Sequence, residues 1–424
     1  MTARSGPKPF YGFYIVAACF VILFLLWGMV MNTFPIFLKP ITENMQWGRG
    51  ALSVAMVVGS VAAAVTAPVA GILLDRIGVR AIMLTGTLAI GLAQLGGSQL
   101  TALWHVYVVF AVIGCGLMCA TVIPCSLLIS NWFAARRGAA MSVAFAGTSV
   151  GGMVMSPIAN WIILTYGWRT AFACSGGIIL MLVLPVVLLV IRTRPSEMGL
   201  EPYRDAAATA GDGTEDGGVT LSDAIRVRAF WQIAAVMILI GLVTSGLGSH
   251  CVAYLTDLDH SPTRAAFAWS LVMAAMVIGK LSVGFIADQW GAKHTMAGAC
   301  VLIATAIATL TFAEPYWVVL AFACTYGFAL GAPLVVNPLL AGDYLGMRHF
   351  GAIYGALNLL STVGAAAGPV GAGMFFDARH TYVPVFYVFV VLMLLGAGVA
   401  VAMTPVAEHA RHTRQPVVPR ATTD

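Results

Sequence analysis

One ionisable side chain lies deep inside an apolar stretch. Ala265–Ala287, AAFAWSLVMAAMVIGKLSVGFIA, carries Lys280 as its only charged residue. A run of roughly 20 apolar residues is long enough to cross a bilayer core as a helix. An ammonium placed there costs about 2.5–3.5 kcal/mol on insertion scales, so it is usually given an aqueous cavity or a partner. Asp288, where charge resumes, lies eight residues on, about 12 Å along a helix axis, which is too far for a merely interfacial lysine. The chemistry open to Lys280 is to hold an anion or to exchange a proton. The plainer alternative is a lysine whose long stem snorkels to the membrane edge.

Four other polar side chains stand within apolar runs: Asn32 near Pro35, His250, Asn337 before Pro338, and Asn358. Imidazole titrates near neutrality, so His250 is a candidate proton carrier; it is also only seven residues before Asp257 and so suits the mouth of a cavity equally. Amides in such places orient a ligand or join helices, the latter at about 0.6 kcal/mol apiece. The eight cysteines all fall in apolar runs without CxxC spacing and read as small buried hydrophobes. No GxxxxGK[ST] loop, catalytic cluster or metal-ligand spacing is present, so neither an enzyme nor a primary pump is expected, and no cofactor.

These residues need elements to carry them, and composition says which. The chain is 60% hydrophobic and 9% charged, against about 25% charged in soluble domains. It is expected to be an all-α membrane protein. The N-terminus, MTARSGPKPFYG, runs straight into an apolar stretch and is expected to be retained. Runs free of Asp, Glu, Lys and Arg, such as Gly12–Leu38, Ala51–Leu74 and His349–Phe376, predict single spans. Ala81–Ala135 is double length and is broken by GGSQLTALWH at Gly96–His105, which brings the total to twelve transmembrane helices. The longest polar interruption, Arg192–Arg228, divides them six and six, and DAAATAGDGTEDGGV within it has the composition of a flexible linker. The expected organisation is a six-helix bundle over 1–192, a cytoplasmic linker over 193–228, a second six-helix bundle over 229–407 and a cytoplasmic tail over 408–424.

Sixteen of the 22 Lys and Arg fall on the side of the termini and linker, and five on the other. The positive-inside bias therefore predicts cytoplasmic termini. The net charge of +5 has this topological origin, and no basic stripe interleaved with aromatics suggests a nucleic-acid partner. The halves also repeat. A shift of 213 residues lays GILLDRIGVR (Gly71–Arg80) on GFIADQWGAK (Gly284–Lys293), Gly114 on Gly327, Gly138 on Gly351 and Gly151 on Gly364. One constant offset through loops and helices marks two equivalent, parallel bundles.

GILLDRIGVR and GFIADQWGAK resemble the signature loops of the major facilitator superfamily. NWFAARRGAAMSVAFAGTSVGG (Asn131–Gly152), YGWRTAF (Tyr166–Phe172), RPSEMGLEP (Arg194–Pro202) and TLSDAIRVRAFW (Thr220–Trp231) are similar to its monocarboxylate transporter and oxalate:formate antiporter branch. The resemblance covers about residues 10–405. It implies two pseudo-symmetric bundles that rock around a central site. In that branch a cation of the eighth helix anchors a substrate carboxylate, and Lys280 occupies the position. Three departures matter. Lys replaces the usual Arg, exchanging a planar two-pronged donor for a compact ammonium that can also part with its proton. Met276 stands where animal monocarboxylate transporters carry an acid one turn earlier, and Asn32 falls near their first-helix lysine.

One cation suits one carboxylate, so the resemblance implies secondary transport of a small monocarboxylate, lactate- or pyruvate-like, with a proton, by a monomer in the inner membrane. Lys280, His250, Asn32, Asn337 and Asn358 are the expected binding set. Efflux of a neutral or amphiphilic compound, anion exchange and a non-transporting receptor are the alternatives. Asp75, Arg76, Arg80, Arg136, Arg137, Asp288, Lys293 and Arg348 are expected to form a charge network that breaks when the halves rock, or else only to enforce topology.

Overall fold

The computed structural model describes residues 10–47, 49–203, 219–379 and 381–404. Within them twelve helices are long and apolar enough to cross a membrane. They are α1 (Gly12–Met31), α2 (Val54–Ile77), α3 (Val79–Gly97), α4 (Leu103–Trp132), α5 (Arg137–Tyr166) and α6 (Trp168–Leu189), then α7 (Arg228–Asp257), α8 (Phe267–Trp290), α9 (Ala292–Leu310), α10 (Tyr316–Leu345), α11 (Phe350–Phe376) and α12 (Val383–Val401). The centre of the expected linker, 204–218, and the expected tail, 408–424, lie outside the described residues.

Helices α1–α6 pack on one another, as do α7–α12, and the two bundles meet mainly where α2 lies on α11 and α5 on α8. The repeated glycines explain how. Gly114 puts α4 against the Gly59 carbonyl of α2, and Gly327 puts α10 against the Val272 carbonyl of α8, which is the same position 213 residues on. Gly151 brings α5 onto Phe24 of α1, and Gly364 brings α11 onto Ile238 of α7. At each crossing a Cβ would strike backbone, so the repeat is a list of places where two helices touch without side chains between them. Gly78 and Gly291, also 213 apart, open α3 and α9 with φ of 89° and 80°, a backbone region that is essentially reserved for glycine.

The predicted break at Gly96–His105 is found, with α3 ending at Gly97 and α4 starting at Leu103. Four spans are less regular than their apolar runs suggest, α6 among them with a π-helical segment at Ile179–Val183. In α1 a π-helical segment occupies Trp27–Met31, and beyond Asn32–Thr33 the chain resumes as a helix over Phe34–Met45. The apolar run stops at Leu38 because lipid selects side chains, whereas backbone hydrogen bonding continues into the polar interface. Helix α4 is interrupted at Thr121 (φ −117°, ψ −112°), three residues before Pro124, and α10 at Gly331, two before Pro333. Proline lacks the N–H that would continue the ladder.

Two of the quoted motifs lash loops to helix ends. On the side of the linker, hereafter the linker side, Trp132 Nε1 donates to the Arg192 carbonyl at 2.8 Å and Asn131 Nδ2 to the Thr193 carbonyl at 3.1 Å. The Tyr203 N–H then bonds the Trp132 carbonyl at 2.8 Å. On the far side Arg169 donates to the Ser98 and Leu100 carbonyls at 2.9 and 2.8 Å, just past α3, with its guanidinium over the Trp168 ring. Hydrogen bonds from charged donors contribute about 1.5–3 kcal/mol each. Arg169→Ala is therefore expected to lower the unfolding free energy by about 2–3 kcal/mol, seen as an earlier melt of the detergent-solubilised protein; an unchanged melt would contradict this role.

Candidate functional site

The seam between the bundles begins on the linker side with two equivalent caps. The first turn of α5 leaves unpaired N–H groups, as every helix does, and Asp288 of α8 reaches across to them. Its Oδ1 accepts from Gly138 N at 2.7 Å and its Oδ2 from Ala139 N at 2.8 Å. Asp75 of α2 does the same for α11, accepting from Gly351 N at 3.2 Å and Ala352 N at 3.1 Å. A carboxylate at a helix N-terminus is favoured by both the free donors and the helix dipole. The approach requires glycines on both sides: a Cβ at Gly71 would strike Gly351, and one at Gly284 would strike Gly138.

Of the expected gating residues, Asp75 and Asp288 thus act as caps on helix ends of the opposite bundle. Arg136 and Arg137 face Asp288 electrostatically, and His349 faces Asp75. Arg137 also donates to the Phe133 carbonyl at 2.8 Å and lies 3.8 Å from Asp343. Arg80 turns to the Leu188 carbonyl at the end of its own bundle. The structure gives Arg76 and Arg348 exposed positions on this side, and Lys293 lies in the first turn of α9. Asp343 was not foreseen, because in the sequence it served only to end an apolar run.

One helical turn further in, Gly284 N donates to Ser142 Oγ at 2.8 Å. One more turn brings Lys280. Its side chain is 5% exposed, and Nζ donates to Thr148 Oγ1 at 2.9 Å and Ser149 Oγ at 2.7 Å, both on α5 of the other bundle. An ammonium has three donors, so one remains beyond these two hydroxyls. Among the described residues no carboxylate lies within ion-pair distance of it. Thr148 Oγ1 passes its own proton to the Phe145 carbonyl at 2.8 Å. Asn32 Nδ2 donates to the Thr148 carbonyl at 3.0 Å, so Lys280 and Asn32 meet on one residue.

Among the described residues the other expected binding residues share no hydrogen bond with Lys280. His250 hydrogen-bonds Tyr382 Oη through Nδ1 at 3.1 Å, and its Nε2 donates to the Pro369 carbonyl at 3.0 Å. Counted from the far ends of α7 and α8 it lies seven residues in and Lys280 thirteen, a difference of about 9 Å along the helix axes. Asn358 donates to the Tyr354 carbonyl of its own helix at 2.8 Å. Asn337 of α10 keeps a buried Oδ1 without a hydrogen-bond partner. Thr148 and Ser149 were missed, although the internal repeat held a signal: the 213 shift lays them on Ser361 and Thr362 of α11. The same shift lays Lys280 on Ala67, which is fully buried, with its carbonyl against Gly355 of α11. Both seams close the same way, and only one needed a cation.

Comparison with known proteins places this geometry in context. The sequence profile of the Major Facilitator Superfamily matches residues 16–369 and 251–422. Monocarboxylate transporter 13 of Bos taurus is 25% identical over 402 residues, covering 94% of this chain and 90% of that protein. Monocarboxylate transporter 4 of Mus musculus is 25% identical over 405 residues, covering 91% and 81%. Among solved structures, the transporter FucP in the outward conformation superposes with a TM-score of 0.70 at 14% identity, covering 92% of this chain and all of that one. The human organic anion transporter MFSD10 superposes with a TM-score of 0.72 at 16% identity, covering 93% and 100%.

The interbundle hydrogen bonds described above all lie between the linker side and Lys280, so this is the state closed on that side. Replacing Asp288 or Asp75 by Asn removes at least one charge-assisted bond, about 1.5–3 kcal/mol. We expect a shift of about 10- to 100-fold toward a state open on the linker side. Spin labels at Ser196 and Trp290, one in each half, report it as a longer distance population. An unaltered distribution in both variants would refute the latch.

Proposed function

The chain belongs to the Major Facilitator Superfamily, a family of transporters rather than enzymes, and on that premise we propose that it carries a small monocarboxylate anchored by Lys280. Alternating access follows from the family and from the arrangement of the seams. The single observation that favours an anionic substrate is the asymmetry of those seams. Ala67 shows that the fold closes without a charge at this position, whereas Lys280 incurs the desolvation penalty of an ammonium in the equivalent place. Two hydroxyls lower that penalty without cancelling the charge. The remaining N–H and the uncompensated charge suit one carboxylate, and Asn32, beside the same Thr148, supplies a polar neighbour for a hydroxyl or keto oxygen.

A proton is the coupling ion in this reading. An anion moved alone against an inside-negative potential costs about 2.3 kcal/mol per 100 mV, and a co-transported proton removes that cost. The similarity to monocarboxylate transporters supports the substrate class. The excess of Lys and Arg on the linker side supports a cytoplasmic linker and termini in an inner membrane. His250, bonded at both ring nitrogens near the far side, acts as a clamp between α7 and the α11–α12 pair rather than as a ligand. Asn358, turned back onto its own helix, has a structural part as well.

Uptake of labelled L-lactate into proteoliposomes tests the proposal, with and without an inward proton gradient. Gradient-driven uptake is expected in the wild type, at least 100-fold weaker in Lys280→Ala, a loss that corresponds to about 3 kcal/mol for a truncated buried charge, and partly retained in Lys280→Arg. Thr148→Val is expected to reduce uptake less than Lys280→Ala, because Ser149 still solvates the ammonium. Flux of another solute that survives Lys280→Ala would overturn the anion anchor in favour of efflux of a neutral compound.

A further inference from the structure

We propose that a groove on the membrane-facing side of the α1–α5–α8 junction binds one acyl chain of an anionic phospholipid of the linker-side leaflet, with its phosphate at Arg136. The cavity has a volume of about 640 Å³ and is separate from the Lys280 seam. Phe20 on α1, Ala139 and Val143 on α5 and Phe285 on α8 are among its walls, with Tyr203 and Arg136 at the linker-side end. Val143 and Phe285 are exposed, 42% and 53%. The lining stretch of α1 runs from Phe13 to Val21, about 12 Å of helix. That is most of one leaflet's share of a hydrocarbon core about 30 Å thick.

Location and charge together select the occupant. Phe133 and Arg136 immediately precede α5, and Phe285 is five residues before the end of α8 at Trp290, so the groove opens where headgroups meet hydrocarbon. Every other lining side chain is apolar or phenolic, and Arg136 is the one charged residue among them. An anionic headgroup gains from that guanidinium what a zwitterionic one, with its own ammonium, gains less of. The walls also come from both bundles, α1 and α5 from one and Phe285 from the other. An occupant therefore touches both sides of the seam that Asp288 caps, beside the Arg136 that faces Asp288. The lipid stabilises the state closed on the linker side, whichever solute is carried.

The test offers full-length protein in mixed micelles equal amounts of phosphatidylglycerol and phosphatidylcholine with the same acyl chains, and counts retained lipid by native mass spectrometry. Wild type is expected to retain phosphatidylglycerol about fivefold over phosphatidylcholine. Arg136→Gln should abolish that preference while still retaining lipid, and Val143→Trp, which fills the groove, should lose both lipids. A photoactivatable acyl chain on wild-type protein guards against a misfolded variant: cross-links are expected on the peptides bearing Phe20 and Val143. The spin-label distance between Ser196 and Trp290 should be shorter in phosphatidylglycerol nanodiscs than in phosphatidylcholine, and lipid-independent in Val143→Trp. Equal retention of the two lipids by wild type, or cross-links confined to other helices, would overturn the proposal.

Discussion

The structure turns on a buried ammonium shared between two bodies that must move apart. Lys280 belongs to one bundle and its hydroxyl partners, Thr148 and Ser149, to the other. In hydrocarbon a lone ammonium is expensive, so its solvation has to come from protein or substrate. Here that solvation comes from across the seam, which ties the charge to one side of the rocking motion. When the seam opens the ammonium loses both hydroxyls together, and water or a carboxylate must replace them. Under the proposed function, substrate chemistry and gating are joined at one nitrogen atom, at a helix crossing and not within a single bundle.

The two carboxylate caps show how such a seam can be firm and still reversible. Asp75 and Asp288 each receive two backbone N–H groups from the opposite bundle, so the bonds are charge-assisted but lie where water can replace them on opening. The flanking Arg137 sits 3.8 Å from Asp343, a loose pair of the kind that contributes about 0–1 kcal/mol. Glycines at 71, 138, 284 and 351 permit the close approach without interlocking side chains. A seam of backbone against backbone separates cleanly, whereas interdigitated side chains would have to unpack. The same close approach gathers charge: Asp288 caps α5 about two helical turns from Lys280 on α8.

Most of the architecture was legible in the sequence because lipid writes directly on it. Twelve spans, two of them from the run broken at Gly96–His105, follow from the need to satisfy every backbone group inside a helix. The glycine repeat correctly announced equivalent crossings, although the sequence did not say which helices would cross. Lys280 stood out because its surroundings made it costly. Thr148 and Ser149 did not, since hydroxyls in a membrane helix usually bond their own backbone, as Thr244 and Ser249 do here. Asp343 was invisible for a similar reason: one acid at the end of a span looks like any other boundary charge.

The amino-acid sequence by itself determined the number of spans, the twofold repeat, the family likeness and the identity of the one deeply placed cation, because each of these is a local or periodic property of composition. The tertiary structure decided who meets whom. It seated Asp75 and Asp288 as caps on helix ends of the opposite bundle, joined His250 to Tyr382 and the Pro369 carbonyl, and brought Thr148 to both Lys280 and Asn32. Those outcomes depend on crossing points and helix rotation between segments up to 277 residues apart. A difference of one residue in register, or 100° of helix rotation, would leave the composition unchanged and alter every one of these partners.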